Sequence, residues 1–147
     1  MRRVPAMLSI AVALSVAQAA AAGTVQVTRA WIRVLPGDLP AAGYATLENP
    51  GDKPVALLDA HSAAYRDIML HRSVTAGGVS RMMMVRRLTV PAHGRARLAP
   101  GGYHLMLMHA TRIVTPGEKV SITLRFDDGN TETVVFVAMP ANATGAP

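Results

Sequence analysis

Turn-forming residues interrupt this chain at short, regular intervals. They stand at Pro36-Gly37, Asn49-Pro50-Gly51-Asp52, Gly77-Gly78, residues 91–94, Pro100-Gly101-Gly102, Pro116-Gly117 and Asp127-Asp128-Gly129-Asn130. The runs between them are short and β-prone, and such spacing predicts a β-sandwich or barrel. Residues 119–126 give the clearest strand. There Val120, Ile122, Leu124 and Phe126 alternate with Lys119, Ser121, Thr123 and Arg125, so one face is buried and the other wet. The β-branched run 133–139 is expected to pair with it as a hairpin across the Asp-Asp-Gly-Asn turn. Further strands are predicted over 25–34, 43–48, 55–60, 66–74, 82–90, 95–98 and 103–109, with a helical turn available at 62–65. The fold class is all-β.

The N-terminus reads differently from the rest. Met1-Arg2-Arg3 precedes an apolar run over 4–16 and an alanine-rich tail, the pattern of a secretory signal peptide cleaved near Ala22. The apolar stretch is shorter than the roughly 20 residues that cross a bilayer as a helix, so no stable membrane insertion is expected. Removing residues 1–22 leaves 125 residues, one domain over 23–140 with a flexible small-residue tail at 141–147. What remains has 13 Lys and Arg against 9 Asp and Glu, a formal charge of +4. No Lys-rich cluster interleaved with aromatics accompanies that charge, which argues against a nucleic-acid partner.

Cysteine is absent, so no disulfide braces an exported fold and the core must hold alone. Thiolate metal sites, blue-copper electron transfer and cysteine nucleophiles are excluded for the same reason. No cysteine follows the cleavage region to carry a lipid. A metal bound here must use His, Met or carboxylate.

Methionine is the anomaly. Six Met residues lie between Met69 and Met108, interspersed with histidines. Strand alternation puts His104, Met106 and Met108 on one face of residues 103–109, Met69 with His71 on one face of an earlier strand, and Met82 with Met84 on one face of a third. Thioethers and imidazoles together suit Cu(I), a soft ion, better than zinc or a hard cation. Thioethers need no deprotonation and cannot form disulfides, so copper release is expected as pH falls through the His range.

These residues carry a resemblance to a known family, the periplasmic copper chaperones called PCu(A)C, whose pattern is His-x10-Met-x21-His-x-Met. His71 is followed after 10 residues by Met82, Met82 after 21 by His104, and His104 after one by Met106. The Pro91-Ala92 turn, the segment from Pro100 to Met108, Ala30-Trp31 followed by Pro36, and Gly43-Tyr44 also look like the family. The resemblance implies a cupredoxin-like Greek-key β-sandwich with His71, Met82, His104 and Met106 as Cu(I) ligands. It further implies a periplasmic, monomeric, non-enzymatic chaperone that delivers copper for cytochrome c oxidase assembly, its partner an apo oxidase subunit or another copper chaperone. Two departures stand out. The His- and Met-rich C-terminal extension of many members is missing, which puts a second, Cu(II)-type site in doubt, and His93 stands where Gly is common.

Each residue also has a plainer reading. Met83 should face opposite Met82 and Met84 and is expected to pack in the core. Met69, Met84 and Met108 are expected to support or collar the site, with transient binding during transfer or plain packing as the alternatives. His61, His93 and His109 read as surface or local hydrogen-bonding residues, and Trp31 and Tyr103 as packing anchors. Arg81, Arg86, Arg87, Arg95 and Arg97 form a basic stretch, a solvated face or a steering surface toward an acidic partner. Against the carrier stand a copper-buffering or tolerance protein with the same ligands, a copper redox enzyme, and a metal-free adhesion or structural sandwich. A histidine-brace oxygenase would need His at the mature N-terminus, where Gly23 stands.

Overall fold

A computed structural model describes residues 24–147, so the expected signal peptide lies outside the described residues. Ten strands run through the chain: β1 Gln26–Arg33, β2 Ala41–Asn49, β3 Val55–His61, β4 Tyr65–Ala76, β5 Val79–Met84, β6 Leu88–Val90, β7 Gly94–Leu98, β8 Tyr103–Ala110, β9 Lys119–Phe126 and β10 Thr131–Met139. Among the described residues there is no α-helix, and hence none long and apolar enough to cross a membrane.

The alternating run over β9 forms the expected hairpin with β10, pairing Arg125 with Thr131 and Lys119 with Val137. Its inward residues Val120, Ile122, Leu124 and Phe126 are all buried. Gly129 supplies the positive φ of the turn, 86°, a value that costs glycine little.

Hydrogen bonding is continuous through all ten strands, in the order β5-β4-β8-β7-β2-β1-β10-β9-β3-β6. The sheet folds over so that its two halves close on one core. Leu70, Leu105 and Leu107 come from β4 and β8, while Leu57, Ile122, Leu124 and Phe126 come from β3 and β9. Strands distant in sequence become neighbours: β4 lies against β8, and β1 runs parallel to β10.

Two local expectations need correction. The predicted strand over 82–90 is two strands, because β5 pairs with β4 and β6 pairs with β3, at opposite ends of the strand order. Val85-Arg86-Arg87 is the crossing between them, and the two adjacent arginines mark where the apolar alternation stops. Residues 62–65 are a tight turn closed by a bridge between Ser62 and Tyr65 and are not helical.

Candidate metal site

The site lies on the β5-β4-β8-β2 part of the sheet, on the face turned away from the core. In an antiparallel pair, directly opposed residues point to the same side. His71 of β4 stands opposite His104 of β8 and, on its other flank, opposite Met84 of β5. Ser73 stands opposite Met82, Met69 opposite Met106, and Asp67 opposite Met108. One face of three adjacent strands therefore displays two imidazoles and five thioethers. Their neighbours Leu70, Leu105 and Leu107 are buried on the other side.

The two imidazole rings meet edge to face, centroids 5.8 Å apart at 69°. His104 is 3% exposed. Its Nδ1–H donates to the Gly102 carbonyl at 3.2 Å, an arrangement that fixes the tautomer and leaves Nε2 with a free lone pair. That Nε2 is buried without a hydrogen-bond partner, and so is Nδ1 of His71. Burial, and secondarily the proximity of His104, hold the His71 pKa below the ordinary imidazole value of 6.5, so His71 is neutral at pH 7. Two imidazoles, each presenting a buried nitrogen without a partner, are suited to a metal ion.

The donors present decide which class of ion. Among the described residues, no three His, Asp or Glu side chains converge as a cage. The remaining donors beside the imidazoles are thioethers, which select a soft ion. Met106 is half-buried, whereas Met82 and Met84 are exposed.

Support beneath His104 comes from residues that sequence reasoning assigns no role at the site. Tyr44 is buried with its ring centroid 6.5 Å from that of His104. Behind it Trp31 packs at 4.6 Å, and the Arg33 guanidinium lies 5.4 Å from both aromatic centroids. A bulge at Arg29-Ala30 inserts one extra residue into β1 and brings Trp31 opposite Tyr44. Arg33 also donates from Nε and Nη2 to the Ala143 carbonyl, at 3.1 and 2.7 Å, tying the C-terminal segment to this face. The alternation of Trp31 and Arg33 on β1 is the sequence signal that marks them as neighbours of one outward surface.

Other expectations divide. His93 bonds Asp52 at 2.6 Å and His109 bonds Asp67 at 2.5 Å, while His61 is exposed, so all three are local surface residues. Trp31 is a buried anchor; Tyr103 is half-buried beneath the Arg72 guanidinium at 5.2 Å. Met83 does face opposite Met82 and Met84, but it is 53% exposed and not part of the core. The reason is that β5 is the edge of the sheet and projects with β4 past the packed body. The arginines contiguous in sequence are dispersed: Arg81 is on β5, Arg95 and Arg97 are on β7 beside β2, and Arg87 pairs with Asp127 at 2.6 Å.

Comparisons with known proteins identify the relatives of this chain. The LpqE-like family, described as "Putative lipoprotein LpqE-like", matches over residues 25–138. A protein of Leifsonia xyli subsp. xyli (strain CTCB07), "Putative lipoprotein Lxx21020", is 36% identical over 111 residues, which are 75% of this chain and 66% of that one. The chain thus spans just under two thirds of that relative's length. The apo PmoF2 PCuAC domain superposes with a TM-score of 0.69 at 25% identity, over 86% of this chain and 98% of that domain. CuI-DR1885 from Deinococcus radiodurans, a solution structure, gives 0.68 at 36% identity, over 85% and 84% of the two chains. The expected cupredoxin-like β fold is the one observed.

Proposed function

Because the chain belongs to the LpqE-like family and has the fold of a PCuAC domain, we propose that it is an exported Cu(I) carrier holding the ion through His71, Met82, His104 and Met106. The observation that carries this reading is the pair of buried imidazole nitrogens, His71 Nδ1 and His104 Nε2, on facing rings with no hydrogen-bond partner. A buried polar atom left unsatisfied costs about 1–3 kcal/mol, and a bound ion offsets that cost at both nitrogens. The sequence spacing of the four donors and the register that places them on one face support the same set.

Each residue has a distinct task. The Gly102 carbonyl accepts from His104 Nδ1 and orients the ring, so Nε2 is the nitrogen turned to the ion. Burial keeps His71 neutral, which removes a competing proton. Met82 and Met106 add soft, uncharged donors, one exposed and one half-buried. Exposure of β5 gives an incoming donor of another protein access to the ion. Transfer is then ligand exchange with no change in oxidation state, and the chain catalyses no reaction.

Cu(I) is the ion of choice on thioether chemistry, and a relative solved with Cu(I) is 36% identical. The signal-like N-terminus supports export to the periplasm, where the carrier acts as a monomer. The recipient is an apo copper protein, a subunit in cytochrome c oxidase assembly or another copper chaperone.

A buffering protein with the same ligands is distinguished by kinetics. Stopped-flow transfer from the Cu(I)-loaded protein to an apo oxidase copper domain should run faster than loss of copper to a dilute chelator. Equal rates would mean that copper merely dissociates, and would favour buffering.

A further inference from the structure

Consecutive exposed methionines on an edge strand are an unusual way to end a sheet, since edges are ordinarily blunted by charge or proline. All six residues of β5 are exposed, Met82 at 61% and Met84 at 66%. Neither thioether is covered by packing, so filling a core does not account for them.

Register separates the two. Met84 is directly opposite His71, which is directly opposite His104, so these three form one row across the sheet. Met82 is opposite Ser73, two residues nearer the hairpin tip, and reaches His71 on the diagonal. Directly opposed Cβ atoms lie about 4.5–5.5 Å apart, and diagonal neighbours about 7–8 Å. The position of Met84 is fixed by the next rung of the ladder, Val85 N–H donating to the Leu70 carbonyl at 2.9 Å. Met82 lies toward the Gly77-Gly78 turn, where both glycines have positive φ. With Met69 and Met106 paired in the adjoining row, the two imidazoles are flanked by four thioethers. That is more donors than one soft d¹⁰ ion takes at once.

Resting on the reading of the site as a Cu(I) carrier, we propose that Met84 is an additional copper ligand that exchanges with Met82. As the sulfur–copper bond to Met84 forms, the bond to Met82 breaks, and the ion stays anchored on His71 and His104. No electron or proton moves. The number of bonds to the ion is unchanged, and a recipient's donor arriving at the exposed edge displaces one thioether while the other remains in reach to hold the ion.

The test uses the full domain labelled with ¹³C at the methionine methyl groups and titrated anaerobically with Cu(I), with affinities read by chelator competition. In the wild type the Met82 and Met84 methyl signals should both move while that of Met83, on the opposite face, stays in place. M82L and M84L should each lose about tenfold or less in affinity, and M82L/M84L about a hundredfold or more, because each residue covers for the other. In M82L the shift of the Met84 methyl should grow. The proposal is overturned if Met84 keeps its apo position throughout and M82L alone is as weak as the double variant, a result that leaves the carrier reading intact. Absence of Cu(I) binding by the wild type overturns both. Thermal unfolding of the variants without copper reports any loss of fold, which exposed Met-to-Leu changes on an edge should not cause.

Discussion

His71 faces His104 directly across the β4-β8 pair, ring centroids 5.8 Å apart, and each ring carries a buried nitrogen without a partner. The depressed pKa of His71 has two consequences with a definite sign. Below the ordinary value of 6.5 the unfolded chain protonates this residue while the folded chain still resists. The apo protein should therefore lose stability as pH falls through that value, the loss levelling off once folded His71 itself protonates. For the same reason protons compete with copper at His71 only below 6.5. Chemical denaturation across pH checks the first consequence; a His71→Gln variant should show a shallower slope, and an equal slope would detach the effect from His71.

Gly43 sets how closely β2 approaches the strand carrying His104 and Met106. A Cβ at this position would lie 3.2 Å from Leu107 Cδ1 and 3.3 Å from Leu105 Cβ, tighter than ordinary packing allows. Gly43→Val should cost about 1–3 kcal/mol by overpacking, read as a lowered midpoint in urea. Because β8 must shift to accommodate it, Cu(I) affinity should fall as well.

Arg33 joins the aromatic pair behind His104 to the C-terminal segment. Arg33→Met removes both donations to the Ala143 carbonyl and the stacking over Trp31 and Tyr44. A loss of about 1–2 kcal/mol in stability is expected. Hydrogen exchange at the amide of Ala143, which donates to the Pro140 carbonyl, should quicken in the variant. Unchanged exchange would show that the segment is held by something other than Arg33.

Met83 and Met106 test the division between the two sheet faces. Met83→Leu should leave Cu(I) affinity unchanged, since its side chain points away from His71. Met106→Leu, on the ligand face beside Met69, should weaken binding at least tenfold, about 1.4 kcal/mol. Equal effects from the two would contradict the placement of donors by strand parity.

Much of this is legible in the sequence itself. The period-2 alternation at Lys119–Phe126 and the glycine-bearing turns announce strands, because both are local properties of the chain. The face shared by His104, Met106 and Met108 follows from the same parity. What parity within a strand does not carry is the pairing between strands. That Met84 rather than Met82 is directly opposite His71 depends on the β4-β5 register, which the Gly77-Gly78 turn sets. The exposure of Met83 depends on β5 being an edge, a property of the whole sheet order. The Arg33-Trp31-Tyr44 support was hidden for the same reason, since a bulge at Arg29-Ala30 determines which β1 residue meets Tyr44. The break at Arg86-Arg87 was visible as interrupted alternation, yet only the crossing from β4 to β3 as pairing partner shows what the interruption is for.

The most direct measurement is a Cu(I) titration of the protein against a competing chelator, comparing wild type with the His71→Ala/Met106→Ala double variant. Tight one-to-one binding in the wild type, reduced by at least a hundredfold in the variant while its fold persists, is the predicted result. Equal affinity in the two proteins, or no Cu(I) binding by the wild type, would contradict the account.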